Sequence, residues 1–240
     1  MPLAANLARI REQIAEACRR SNRSETEVAL MAVSKTHPAD TVVEAYEAGL
    51  RLFGENRVQE WQEKCPAVQH LFDAAGGARA HLIGPLQSNK TSRAAELFDA
   101  IDAVDSLKIA TRLNASAQTL GKKIPILIEV KLSHEDSKHG ILPAALQSLL
   151  DALSPLASLI PSGLMTVPPW SEDAEAARAY FRELRRLRDD SLASHPTLTQ
   201  LSMGMSNDFA VAIEEGSTCV RIGTALFGKR SYPTTSAASE

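Results

Sequence analysis

Val28-Ala29-Leu30-Met31-Ala32-Val33 is an unbroken apolar run of strand length, and Ser34-Lys35-Thr36-His37-Pro38 follows it at once. A continuous short run of this kind fits a strand buried on both faces. Pro38 suits the first turn of a helix, where its missing N–H costs nothing. Val42, Val43 and Tyr46 continue that helix and Gly49 closes it. The unit is a strand running into a helix, and it recurs along the chain. Strands are expected at Leu50–Phe53, His81–Gly84, Ala100–Val104, Ile124–Val130, Gly163–Thr166, Leu198–Ser202 and Val220–Ile222. Helices are expected over residues 88–98, 106–120, 142–153 and 172–192, the last with Ala177, Tyr180, Leu184 and Leu187 inward. A further helix is expected over Ser206–Glu215, with Ser206 as its N-cap and Gly216 as its stop, and the last begins at Thr224–Phe227. An amphipathic helix over residues 3–20, with Leu7, Ile10, Ile14 and Ala17 on one face, precedes them all. Eight alternations point to an α/β fold of the single (β/α)8 TIM-type barrel; an open doubly wound sheet is the alternative.

Composition agrees with one globular domain. The 240 residues are 44% hydrophobic and 23% charged, so the chain is long enough to bury a core without disulfide or metal staples. Lys plus Arg is 26 against 29 Asp plus Glu, a formal charge of −3, which argues against a non-specific nucleic-acid binder. Cys18, Cys65 and Cys219 are odd in number and far apart, as in a reducing compartment, and suggest no zinc site. Neither a long apolar run nor a signal-peptide layout is present, so a cytoplasmic protein off the membrane is expected. The domain is expected to span residues 1–232, with a disordered tail over 233–240.

In such barrels chemistry lies where strands run into helices. Those positions carry Lys35, Glu55 and Asn56, Gln87 and Ser88, Ser202 to Ser206, and Arg221 to Thr224. An amine at Lys35, desolvated at a strand end, can be neutral and nucleophilic and condense with an aldehyde; on position alone it reads equally as a lysine snorkelling at the rim. The loops after strands seven and eight offer glycines, hydroxyls and helix N-termini suited to phosphate, although Ser206 and Thr224 also read as plain caps.

Several short segments together resemble one family. They are Ala32-Val33-Ser34-Lys35-Thr36, Phe53-Gly54-Glu55-Asn56, His81-Leu82-Ile83-Gly84, Leu86-Gln87-Ser88-Asn89-Lys90, Gly163-Leu164-Met165-Thr166, Leu201-Ser202-Met203-Gly204-Met205-Ser206 and Ile213-Glu214-Glu215-Gly216-Ser217, followed by Val220-Arg221-Ile222-Gly223-Thr224. Spread in order over residues 28–228, they resemble the pyridoxal phosphate homeostasis proteins. The resemblance implies a barrel like the N-terminal domain of alanine racemase that holds pyridoxal 5'-phosphate as an internal aldimine on Lys35. It implies Asn56 beside the cofactor ring, Ser206, Gly223 and Thr224 at the phosphate, and Arg221 facing the pyridine nitrogen. It further implies a role in vitamin B6 homeostasis without turnover, with apo-forms of pyridoxal phosphate enzymes as possible partners, and a monomer is expected. Pro85 and His37 depart from the family's usual residues and are expected to lie off the cofactor contacts.

The alternative is an amino-acid racemase or decarboxylase on the same barrel. The racemases that share the barrel take a second base, a tyrosine, from an added β-domain. Here the tyrosines are Tyr46, Tyr180 and Tyr232, two in expected helices and one in the tail. An arginine at the pyridine nitrogen would also disfavour ring protonation and weaken an electron sink. Three motif-like stretches point elsewhere and fall short. Gly223 to Lys229 has P-loop spacing but continues with Arg230 instead of Ser or Thr. His134 and His139 are five apart, so a helix would turn them away from a shared metal. Arg182, Arg185, Arg186 and Arg188 read as a solvated helix face.

Overall fold

The computed structural model describes residues 2–73, 75–133, 135 and 139–228. Among them eight strands close a barrel in sequence order, every neighbouring pair parallel, with the last strand paired to the first. They are β1 (Ala29–Val33), β2 (Leu52–Glu55), β3 (Arg79–Leu82), β4 (Ala100–Val104), β5 (Ile124–Glu129), β6 (Leu159–Met165), β7 (Gln200–Ser202) and β8 (Cys219–Ile222). The expected (β/α)8 barrel is therefore the observed fold, and the open sheet is not.

The helices are α1 (Leu3–Arg20), α2 (Ala39–Glu47), α3 (Val58–Val68), α4 (Thr91–Leu97), α5 (Leu107–Thr119), α6 (Leu146–Leu153), α7 (Arg178–Ser191), α8 (Phe209–Glu214) and α9 (Thr224–Phe227). The principal core runs between barrel and helices and takes in Phe53, Ile101, Ile126 and Val220 from strands and Ile10, Trp61, Leu113 and Phe181 from helices. Burying each such side chain contributes about 1.5–3 kcal/mol. Alternation along β5 puts Leu127 on the face that carries Glu129; Leu127 joins Ala103 and Met165 in a small separate cluster.

Several local expectations need correction. β2 and β3 each lie two residues from the expected spans. α3 was not expected at all, because Lys64 falls on its buried face and Pro66 sits in its last turn, which together hide the period carried by Val58, Trp61 and Val68. In α7 the buried aromatic is Phe181, with Tyr180 only half-buried. Ser206 does not cap α8: Asp208 holds that position, and Ser206 lies in the preceding turn. Of the arginine run, Arg182, Arg185 and Arg186 are solvated, while Arg188 folds back to donate to the Thr199 carbonyl at 2.9 Å. The expected tail and the end of the P-loop-like stretch lie outside the described residues.

α1 seals the junction of the first and last strands. Its buried stripe of Leu3, Leu7, Ile10, Ile14 and Ala17 packs on α8 and α9. Asn6 Nδ2 donates to the Leu226 carbonyl at 2.9 Å, and Arg23 Nη1 donates to the carbonyls of Ile213 and Ser217 at 2.8 and 2.7 Å. Among the described residues, no helix is long and apolar enough to cross a membrane, and no group of three or more His, Cys, Asp or Glu is placed to hold a metal.

Candidate functional site

A cavity of about 550 Å³ opens where the strands end and the helices begin. Its size lies in the ~300–1,000 Å³ range of small-molecule sites. Lys35, Asn56, Ser206, Arg221, Gly223 and Thr224 all line it. Residues from the loops after β1, β2, β7 and β8 thus meet in one place.

Each is positioned by its local backbone. Lys35 follows the fully buried Ser34, two residues past the end of β1. Asn56 follows β2 and lies against Gly84 so closely that a Cβ on Gly84 would come 2.3 Å from the Asn56 carbonyl oxygen. Only glycine fits there. Gly84→Ala should push the Asn56 loop outward and cost about 1–3 kcal/mol, read as a lowered urea midpoint with an unchanged m-value. An unchanged midpoint would show that the two loops are not in fixed contact.

Ser206 and Thr224 stand on adjoining loops. Ser206 Oγ accepts from the Ala225 N–H at 3.2 Å, which ties the loop after β7 to the first turn of α9. Asp208 Oδ1 accepts from the Met205 N–H at 2.6 Å and closes the turn that presents Ser206. Burial pushes the Asp208 carboxyl up, against the Met205 N–H and the charge of Arg221. Gly204 allows this turn through a φ of +94°, with room only for a hydrogen beside the Ala212 methyl.

Arg221, on β8, is buried. Its Nη1 donates to the Ser202 carbonyl at 2.6 Å and to Ser202 Oγ at 2.7 Å, and its Nη2 donates to the Thr166 carbonyl at 2.8 Å. Burial lowers its pKa, opposed by Cys219, Asp102, Glu129 and Asp208; a guanidinium so placed stays a cation. Burial also pushes the neighbouring Cys219 thiol up to about 12, which leaves it inert as a nucleophile.

The cavity also holds groups that the sequence reading missed: Glu129, Asp208, Val167 and Trp170. Glu129 had a signal, a carboxylate at the end of the most apolar strand. Trp170, 74% exposed, carried none. Pro85 lines the cavity, because Gly84 draws that loop onto Asn56. His37 lies elsewhere, its ring 4.9 Å from that of Phe227. Glu55 turns into the core and Ser202 serves Arg221. Gln87 faces an adjacent basin with Asn56 and Lys90.

Comparison with known proteins adds four findings. The chain matches the alanine racemase N-terminal domain family over residues 5–231. It is 44% identical over 237 residues to the pyridoxal phosphate homeostasis protein of Escherichia coli K12, covering 96% of this chain and 97% of that one. PipY of Synechococcus elongatus PCC7942, solved with PLP bound, superposes with a TM-score of 0.82 at 40% identity, over 94% of this chain and all of that one. Alanine racemase of Clostridium difficile 630 shares the fold at a TM-score of 0.71 and 17% identity, and this chain covers 60% of it.

Proposed function

The chain belongs to the pyridoxal phosphate homeostasis proteins of the alanine racemase N-terminal domain family, and on that premise we propose that it binds pyridoxal 5'-phosphate at the end of its barrel and holds it for delivery without turning over amino acids. The observation that carries the reading is the lining of one cavity by an amine, two adjoining hydroxyls and a buried guanidinium. Pyridoxal phosphate, when bound, supplies an aldehyde that condenses with a primary amine. Lys35 is the amine at hand. Ser206 and Thr224 offer hydroxyl donors to a phosphate. Asn56 flanks the ring, kept in place by Gly84. Arg221 presents a fixed positive charge that would oppose proton uptake by a basic ring nitrogen. The domain spans residues 1–232 in this reading and works as a monomer in the cytoplasm.

Support for holding over turnover comes from the tyrosines and from two carboxylates of the cavity. Neither Tyr46 nor Tyr180 lines the cavity; Tyr46 donates its hydroxyl to the Gly76 carbonyl at 2.8 Å. Asp208 is committed to its own turn, and Glu129 lies in the field of Arg221. The test is incubation of the loaded protein with L- and D-amino acids in deuterated water. Deuterium entering the α-carbon at roughly 1 per second or faster, and lost in Lys35→Ala, would make it a racemase-type enzyme. No exchange, together with reactivation of an apo-enzyme by the loaded protein, supports the carrier reading.

The phosphate contacts make a separate prediction. Ser206→Ala combined with Thr224→Ala should weaken retention by up to about 3–6 kcal/mol, from two charge-assisted hydrogen bonds of ~1.5–3 kcal/mol each. Titration of the apo-protein measures it. Equal affinity of the parent for pyridoxal and pyridoxal phosphate would remove the phosphate from the account.

A further inference from the structure

Lys35 lies between two residues that are tied down from behind. Ser34 is fully buried, and its Oγ donates to Glu55 Oε1 at 2.7 Å. Thr36 has a φ of +66°, a region where a β-branched residue is an outlier that its surroundings must enforce. Its N–H donates to Glu60 Oε1. Lys64 joins the two anchors: its Nζ donates to the Ser34 carbonyl at 2.9 Å, to Glu55 Oε1 at 2.7 Å and to Glu60 Oε1 at 3.3 Å. Glu60 and Lys64 stand four apart on one face of α3.

Stability alone does not account for this cluster. Glu55 and Lys64 are both buried, burial pushes the Glu55 carboxyl up against the pull of Lys64 and Ser34, and Glu55 Oε2 has no hydrogen-bond partner among the described residues. Apolar residues of similar volume commonly serve a core as well or better. What these charges do that apolar groups could not is hold backbone atoms on both sides of Lys35.

We propose that Glu60 and Lys64 are positioning residues for Lys35: with Glu55 they clamp Ser34 and Thr36 so that the amine enters the cavity in one orientation. This rests on the reading that Lys35 bonds the cofactor aldehyde. Released from the clamp, Thr36 relaxes toward negative φ and the Lys35 side chain leaves its fixed line of approach. The effective concentration of the amine at the aldehyde then falls, while groups across the cavity are undisturbed.

The experiment compares two ligands, pyridoxal phosphate and pyridoxine phosphate, which carries the same phosphate and ring but an alcohol that cannot condense. Their affinity ratio in the parent measures the contribution of Lys35. Glu60→Ala, at a partly exposed position, removes the Thr36 acceptor and should lower the ratio roughly tenfold, the worth of one charge-assisted hydrogen bond. Pyridoxine phosphate affinity should stay unchanged. Glu60→Gln keeps an acceptor for the Thr36 N–H and should keep the parent ratio. Lys64→Met should lower the ratio further, and the Glu60 pair decides the matter if that variant does not fold. An unchanged ratio in Glu60→Ala, or equal weakening of both ligands, overturns the clamp. A parent that binds the two ligands equally overturns the Lys35 reading itself, and the clamp with it.

Discussion

Lys35→Ala should abolish the borohydride-fixed attachment of pyridoxal phosphate and leave the barrel folded. The parent, loaded and reduced, should carry the label on the peptide containing Lys35, and its absorption at the edge of the visible should disappear on reduction. The substitution removes an amine from a half-buried loop residue and opens no hole in the core, so a surface-like effect within about 0.5 kcal/mol on stability is expected. Binding should persist more weakly, because the hydroxyls of Ser206 and Thr224 and the charge of Arg221 remain. Lys64 is a poor substitute: it is buried and its Nζ already makes three hydrogen bonds. A Lys35→Ala protein that is still coloured and still labelled at another lysine would overturn the assignment.

Arg221→Leu should be the most destabilising single change at the site. It strands the carbonyls of Ser202 and Thr166 and removes the cation that faces Asp102, Glu129 and Asp208. Breaking a buried charge cluster in this way costs about 3–5 kcal/mol. For a chain of this size, the melting temperature should fall by roughly 6–20 °C. The deficit should depend on pH. The Asp208 carboxyl is already raised by burial, and loss of Arg221 raises it further. A carboxyl raised in the folded state adds stability below its unfolded pKa and loses it as pH rises through the folded value. The variant should therefore recover part of its loss as pH is lowered from neutrality. A melting temperature within about 2 °C of the parent, or a deficit that grows on acidification, would show that Arg221 does not bear that charge balance.

The barrel was legible because its strands are short segments rich in apolar residues that alternate with helical patterns, and that alternation survives errors of two residues at β2 and β3. α3 was not legible. Its buried Lys64 contradicts a hydrophobic period and makes sense only once Ser34, Glu55 and Glu60 surround it, which is information held in three separate segments. Six candidate residues could be read from position and family resemblance, since each lies at or near the C-terminal end of a strand and the barrel brings strand ends together. Glu129 satisfied the same rule and was passed over. Pro85 and Trp170 could not be placed from sequence, because one depends on the close approach of Gly84 to Asn56 and the other on a loop path after β6. Ser206 looked like a cap because its residue type suits one, and it does accept a helix N–H, but from α9 instead of the helix that follows it.

The seal that α1 makes on α8 and α9 sets the order in which the molecule can be assembled during synthesis. The ribosome releases α1 before any strand of the barrel, yet its apolar stripe has no surface to cover until the segments after β7 have emerged. Contacts such as Asn6 with Leu226 span 220 residues, and long-range pairings of this kind close late and slowly. The strand bearing Lys35 is likewise open on one side until β8 arrives to pair with it. The amine is therefore translated 171 positions before Ser206 and 189 before Thr224. A nascent chain exposes a lysine without an anion pocket, and the capacity to retain the cofactor should appear abruptly once the segments through α9 have emerged, in the same closing event that shelters α1.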